Sequence, residues 1–229
     1  MKTAALIVAG GRGTRLGSDR PKQYIDLGGK TILARCLEMF LNHAQIDTVQ
    51  VVIGAGDDAL YRDATAGFAS SHLCPPVTGG ASRSASVFAG LQALSDIRPD
   101  RVLIHDAARP FCSNSVVSAV TAALDQTEGA FAAVPVVDAL WRAEDSFVEE
   151  AVPRDSLYRA QTPQGFHYDK IVAAYQAATG DAADDVAIAK HAGLSVQIVP
   201  GDEGNFKITT PADVIRAERH LQEAANDTA

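Results

Sequence analysis

Short apolar runs alternate along this chain with longer stretches that repeat at helical spacing, and that alternation constrains the fold more than any other feature. "AALIVA" (4–9), "TVQVVI" (48–53), "RVLIH" (101–105), "AFAAVPV" (130–136) and "SVQIVP" (195–200) read as strands, most of them too apolar to leave one face in water. Between them, residues 31–42, 84–95, 114–125, 168–178, 184–192 and 211–224 place apolar residues on one helical face. Strands that alternate with helices imply βαβ crossovers, and so a mostly parallel sheet flanked by helices, a Rossmann-like α/β fold. No repeat or low-complexity linker divides the chain, so the expectation is one domain over residues 1–229. Residues 137–161, "VDALWRAEDSFVEEAVPRDSLYRAQ", break the rhythm with two polar-alternating runs about a charged turn. They predict a β-arm hairpin that protrudes from the sheet.

Composition narrows the partners. Twenty basic against 28 acidic residues leave a net charge of −8, which argues against a nucleic-acid partner held through its phosphates. Cys36, Cys74 and Cys112 are odd in number, widely spaced and without a CxxC pair, which suits a reducing compartment and excludes a Cys-rich zinc site. No apolar window is long enough to span a membrane, and the N-terminal apolar stretch is shorter than a signal peptide's usual form. A cytoplasmic protein with no membrane partner is expected.

Against that acidic background, "ALIVAGGRGTRLGSDRPKQY" (5–24) gathers Arg12, Arg15, Arg20 and Lys22 about Gly10, Gly11 and Gly13. In an open parallel sheet, ligands bind beyond the carboxyl ends of the strands, where this loop lies. A dinucleotide fingerprint fails because Leu16 stands where its third glycine is needed. "GKT" at 29–31 is not a P-loop, since Tyr24 occupies the place of the earlier glycine. What remains is a nucleoside triphosphate loop of another kind, in which glycine backbone approaches phosphates and Arg15 and Lys22 supply charge. A βα turn with solvated basic residues would give the same glycine pair.

"AGGRGTRLG…RPKQY", "HDAARP" (105–110), "TPQGF" (162–166) and "NFKITTPADV" (205–214) together resemble the 2-C-methyl-D-erythritol 4-phosphate cytidylyltransferase family, in its order and over most of the chain. The resemblance implies transfer of CMP from CTP to methylerythritol phosphate with release of pyrophosphate, in isoprenoid precursor synthesis. A substrate phosphate attacks the α-phosphorus, so no protein nucleophile is needed, and no Ser-His-Asp or Cys-His motif is evident. It also implies Mg²⁺ or another divalent cation, to temper the charge of the triphosphate.

The same resemblance supplies roles. Arg15 and Lys22 match the residues that face the α-phosphate, and Arg154 and Lys207 those that hold the acceptor phosphate. Ala9, Gly10 and Gly11 match backbone lying along the cytidine, and Gly80, Ala81 and Ser86 the segment that reads cytosine. A helix entry with a serine cap also explains "GGASRSAS". Asp106, Ala107 and Arg109 match the segment where sugar hydroxyls and acceptor meet, and Thr162 a further acceptor contact. His105 is read as structural, and Lys207 on its own would be a solvated edge lysine. The resemblance further implies a homodimer in which the arm carries Arg154 into the neighbouring site. Leu140, Trp141, Phe147, Val148 and Leu157 support it, being too apolar for a ribbon standing alone.

Three positions depart from the family pattern. Ala81 follows the glycine pair where aspartate is common, and Ala139 and Ala183 stand where some members have threonines near the acceptor. These bear on individual contacts, not on the reaction class. Some members carry a fused cyclodiphosphate synthase domain, and none is expected within these 229 residues. The other readings the residues allow are a cytidylyltransferase for a different polyol phosphate, such as ribitol 5-phosphate, and a regulatory protein that binds CTP without turnover.

Overall fold

A computed structural model describes residues 1–13, 20–180 and 182–226. Seven strands form the main sheet: β1 (Thr3–Ala9), β2 (Thr48–Ile53), β3 (Val77–Thr78), β4 (Arg101–Asp106), β5 (Gly129–Pro135), β8 (Tyr158–His167) and β9 (Val196–Pro200). A separate pair, β6 (Leu140–Glu144) and β7 (Phe147–Val152), stands apart from it. Across the main sheet the order is β3-β2-β1-β4-β8-β5-β9. β1 pairs in parallel with both β2 and β4, so the chain proceeds one way from β1 to β3 and the other way to β4. That reversal opens a crevice beyond Ala9 and Asp106, the last residues of β1 and β4.

Helices α1 (Ile32–Leu41), α2 (Asp58–Thr65) and α4 (Asn114–Ala123) cover one face, and α3 (Arg83–Ala93), α5 (Tyr168–Ala177) and α6 (Asp185–His191) the other. The pleat of β1 explains the two-sided core. Ala5 and Ile7 pack with Leu33, Leu37, Phe40 and Val117, while Ala4 and Leu6 pack with Val87, Leu91 and Ile171. The C-terminal helix α7 (Pro211–Asn226) closes a smaller cluster through Ala217, with Leu27, Ile32 and Ile208.

The strand and helix readings hold throughout, but one central strand escaped them. β8 is antiparallel to β4 and β5, so the sheet is mixed at that point. Proline normally stays out of a central strand because it lacks an N–H for the ladder. Here Pro163 lies in a bulge, where pairing jumps from Phe131↔Gln164 to Ala133↔Ala160. The bulge also brings Thr162 beneath Asp106.

The predicted hairpin is present as the antiparallel β6–β7 pair, although residues 158–161 of the expected arm belong to β8. Its apolar side chains are bare at Trp141 (59% exposed), Phe147 (79%) and Val148, with Leu140 and Val152 half-buried.

Candidate active site

A cleft of about 620 Å³ lies in the crevice between β1 and β4, a size suited to a small ligand. Three backbone segments and one side-chain cluster form it.

The first segment is the turn after β1, where Ala9, Gly10 and Gly11 line the cleft. Gln23, buried in the short 3-10 turn over Lys22–Tyr24, donates through Nε2 to the Ala9 carbonyl and fixes where the strand ends. Gly13 has φ +65°, and a Cβ there would stand 3.0 Å from the Lys22 side chain, so the loop needs a glycine at this point. Arg12 spans the mouth, donating to Ala55 O (2.7 Å) and to the Asp57 carboxylate (3.3 Å).

The second segment is the entry to α3, where Gly80, Ala81 and Ser86 line the opposite wall. Ser82 caps the helix, accepting from Ala85 N at 3.2 Å, and Ser86 Oγ donates to Ser82 O at 2.9 Å while accepting from Gly80 N at 3.2 Å. The serine-capped helix entry and the pocket wall are therefore the same structure. Gly79 cannot be enlarged without moving Ser86, whose Oγ lies 2.6 Å from where a Cβ would sit.

The third segment is the C-terminal loop. Ile208 N donates to Ala108 O (2.8 Å), and Lys22 Nζ donates to Ile208 O (3.1 Å), which ties the loop to both strand ends. Lys207 thereby enters the cleft with Lys22.

Between these segments stands Asp106, the one acidic residue among the described residues that line the cleft. Its Oδ1 accepts from Arg83 Nε at 3.2 Å and its Oδ2 from Lys207 Nζ at 2.7 Å. Burial alone raises a carboxyl pKa, but Lys207 and Arg83 more than reverse it and hold Asp106 well below the usual carboxylate range. Asp57 pairs with Arg12 and Asp185 with Arg83, and Lys22 and Lys207 against the single carboxylate of Asp106 leave the cleft a surplus of positive charge suited to a polyphosphate.

Beneath Asp106 runs a buried chain of hydrogen bonds. Asp106 N–H donates to Thr162 Oγ1 (3.1 Å), and Thr162 Oγ1 lies 3.1 Å from His105 Nδ1. His105 Nε2 lies 3.0 Å from Arg109 O, and a carbonyl only accepts, so Nε2 carries the proton and Nδ1 accepts from the threonine. Burial pushes the His105 pKa down to about 4, which keeps the ring neutral. The structural reading of His105 follows from this geometry.

Ten of the expected site residues line the cleft: Ala9, Gly10, Gly11, Lys22, Gly80, Ala81, Ser86, Asp106, Ala107 and Lys207. Thr162 and Arg109 lie behind it, and Arg109 donates to Asn205 O (2.7 Å) and Ala160 O (3.3 Å). Arg154 is on the exposed arm, where it bonds Val137 O. Arg15 lies outside the described residues. Sequence reasoning missed Arg83 and its partner Asp185 (Nη2 to Oδ2, 2.8 Å), which are 102 residues apart. The signal available was an arginine inside the serine-glycine segment already singled out.

The family model described as IspD: 2-C-methyl-D-erythritol 4-phosphate cytidylyltransferase matches residues 3–223. Over 225 residues the chain is 48% identical to the 2-C-methyl-D-erythritol 4-phosphate cytidylyltransferase of Cereibacter sphaeroides strain KD131, covering 98% of this chain and 99% of that one. It is 50% identical over 217 residues to the bifunctional enzyme IspD/IspF of Paramagnetospirillum magneticum, covering 94% of this chain and 56% of the relative. The chain thus spans about half the length of the bifunctional relatives it matches. Among solved structures, the 2-C-methyl-D-erythritol 4-phosphate cytidylyltransferase of Thermus thermophilus superposes with a TM-score of 0.81 at 31% identity, covering 97% of this chain and 100% of that one. The 4-diphosphocytidyl-2C-methyl-D-erythritol synthase of Anaerococcus prevotii gives 0.84 at 28% identity, covering 96% of each chain.

Proposed function

The chain belongs to the 2-C-methyl-D-erythritol 4-phosphate cytidylyltransferase family, and from that premise we propose that it transfers CMP from CTP to 2-C-methyl-D-erythritol 4-phosphate. A phosphate oxygen of the acceptor attacks the α-phosphorus of CTP, the bond from that phosphorus to the β-phosphate oxygen breaks, and pyrophosphate leaves. The products are 4-diphosphocytidyl-2-C-methyl-D-erythritol and pyrophosphate. The observation that carries this reading is the cationic cleft beyond β1 and β4, which Lys22 and Lys207 line together and where Lys207 pairs with Asp106.

The reaction asks the protein for placement and charge, not for a covalent intermediate. Lys22, together with Arg15, balances the charge that grows on the α-phosphate as the acceptor arrives. Lys207 holds the acceptor phosphate for attack in line. The Gly10–Gly11 turn lets the nucleotide lie against backbone, and Gly80, Ala81 and Ser86 form a narrow wall suited to a pyrimidine. Asp106, with Ala107, receives sugar hydroxyls, while Thr162 and Arg109 brace that segment from behind.

Among the described residues no group of three His, Cys, Asp or Glu side chains exists to hold a metal. Asp106 is the one carboxylate lining the cleft among the described residues and its oxygens are held by Arg83 and Lys207, so this donor set fits Mg²⁺ that would be carried mainly by the triphosphate. When bound, the ion neutralises phosphate charge and makes the α-phosphorus open to an anionic attacker.

The bare apolar residues of the β6–β7 arm support a homodimer in which arms exchange, so that Arg154 of the partner subunit completes the acceptor site. No described helix is long and apolar enough to cross a membrane. The free thiols of Cys36, Cys74 and Cys112 support a reducing, cytoplasmic setting.

The test is pyrophosphate release across CTP, UTP, ATP and GTP, each with methylerythritol phosphate, ribitol 5-phosphate and other polyol phosphates. CTP with methylerythritol phosphate should be the best pair. Efficient turnover of ATP or GTP contradicts the pyrimidine wall, preference for ribitol 5-phosphate reassigns the acceptor, and CTP binding without release of pyrophosphate removes the enzyme reading.

A further inference from the structure

Asp185 is fully buried at the first turn of α6, a place where a charged group needs a reason. Capping does not supply one, because Asp184 already accepts from Ala187 N at 2.9 Å. Packing does not either, because Ile188 and Ala189 carry the apolar contacts of this helix. The carboxylate of Asp185 is instead committed to Arg83. Oδ1 accepts from Nη1 at 3.0 Å and Oδ2 from Nη2 at 2.8 Å, a two-pronged pairing that fixes the plane of the guanidinium. Tyr175 donates its hydroxyl to Oδ1 at 2.5 Å, and Gln164 Oε1 accepts from Asp185 N at 3.0 Å, so the acid is itself held on two further sides.

With its fork occupied, Arg83 offers only Nε to Asp106 Oδ1, at 3.2 Å. Asp106 can then keep its other oxygen on Lys207. We propose that Asp185 is a positioning residue for CMP transfer: by occupying the fork of Arg83 it stops that arginine from capturing Asp106, and so keeps Lys207 set for the acceptor phosphate. The inference rests on the function proposed above. Without the Asp185 charge, Arg83 turns its free donors to Asp106, the carboxylate leaves Lys207, and the acceptor is held out of line.

The test compares Asp185→Asn with wild type, with CTP and acceptor varied separately. The expected result is a kcat/KM for the acceptor lower by about 10- to 100-fold, as for a small misplacement of a reacting group, with a raised acceptor KM and a CTP KM changed less than about threefold. A merely structural role lowers kcat through the folded fraction and leaves both KM values in place, and that result overturns the proposal. Tyr175→Phe, which keeps the charge but removes one hydrogen bond, should show the same acceptor-side effect in weaker form even if Asp185→Asn folds poorly; equal effects on CTP and acceptor overturn the proposal too. In an Arg83→Gln background, Asp185→Asn should cost no further activity, since its effect runs through the arginine. A full additional loss there refutes the route. Wild-type enzyme that fails to release pyrophosphate from CTP and methylerythritol phosphate removes the underlying function, and is a separate outcome.

Discussion

The ammonium of Lys207 stands 2.7 Å from Oδ2 of Asp106, joining the C-terminal loop to the end of β4 across 101 residues of sequence. The pair is only partly shielded, since the Lys207 side chain is 36% exposed, so the lysine can exchange this partner for a phosphate arriving from solvent. Replacing Lys207 by alanine should lower kcat/KM for the acceptor by about 10²–10³-fold, the usual cost of one transition-state donor. CTP affinity, read by calorimetry, should change much less. A loss confined to CTP binding would move Lys207 from the acceptor to the nucleotide.

Lys22→Ala and Arg15→Ala should each reduce turnover by about 10²–10³-fold, with weaker effects on CTP affinity because the other phosphates keep their contacts. Arg15→Lys should recover only part of the loss, since a single ammonium cannot replace a planar fork. Steady-state kinetics decide this. A raised KM for CTP at unchanged kcat makes either residue a uniform binder.

His105 predicts a pH dependence of stability. The unfolded chain protonates this imidazole below about pH 6.5, whereas the native ring stays neutral down to about pH 4. The unfolded state therefore binds more protons in that window, and stability falls as pH drops through it, by roughly 3 kcal/mol at its foot. Urea unfolding at several pH values, for wild type and His105→Gln, isolates the effect. The variant should show the shallower loss between pH 6.5 and 4, and equal slopes would assign the acid sensitivity to other groups.

The arm yields a prediction about two chains. If Arg154 serves the neighbouring site, mixing equal amounts of Lys22→Ala and Arg154→Ala should restore about a quarter of wild-type activity, because half the dimers are mixed and half of their sites are whole. Verified subunit exchange with no recovered activity places Arg154 in its own chain's site.

The longer parallel strands, most of the helices packed on them and the glycine turn were legible because each has a strong local period or a loop chemistry of its own; β3, only two residues long, was not. β8 was not, since Pro163 and Gly165 interrupt a polar strand that stays central only through its bulge and two antiparallel neighbours. α2 escaped because Tyr61 is its one buried residue, too little to make an apolar stripe. In the site, Lys22, Asp106 and Lys207 stood within quotable motifs. Arg83 and Asp185 did not show as partners, because their pairing exists only once α3 and α6 are brought to the same face of the sheet.

The central claim is that the acceptor's own phosphate oxygen attacks the α-phosphorus of CTP in this cleft. Methylerythritol phosphate labelled with ¹⁸O on its phosphate tests it most directly, with CTP unlabelled and both products read by mass spectrometry. The account predicts that the diphosphocytidyl product retains every labelled oxygen and the pyrophosphate carries none. Label in the released pyrophosphate, or a product that has lost label, would contradict it.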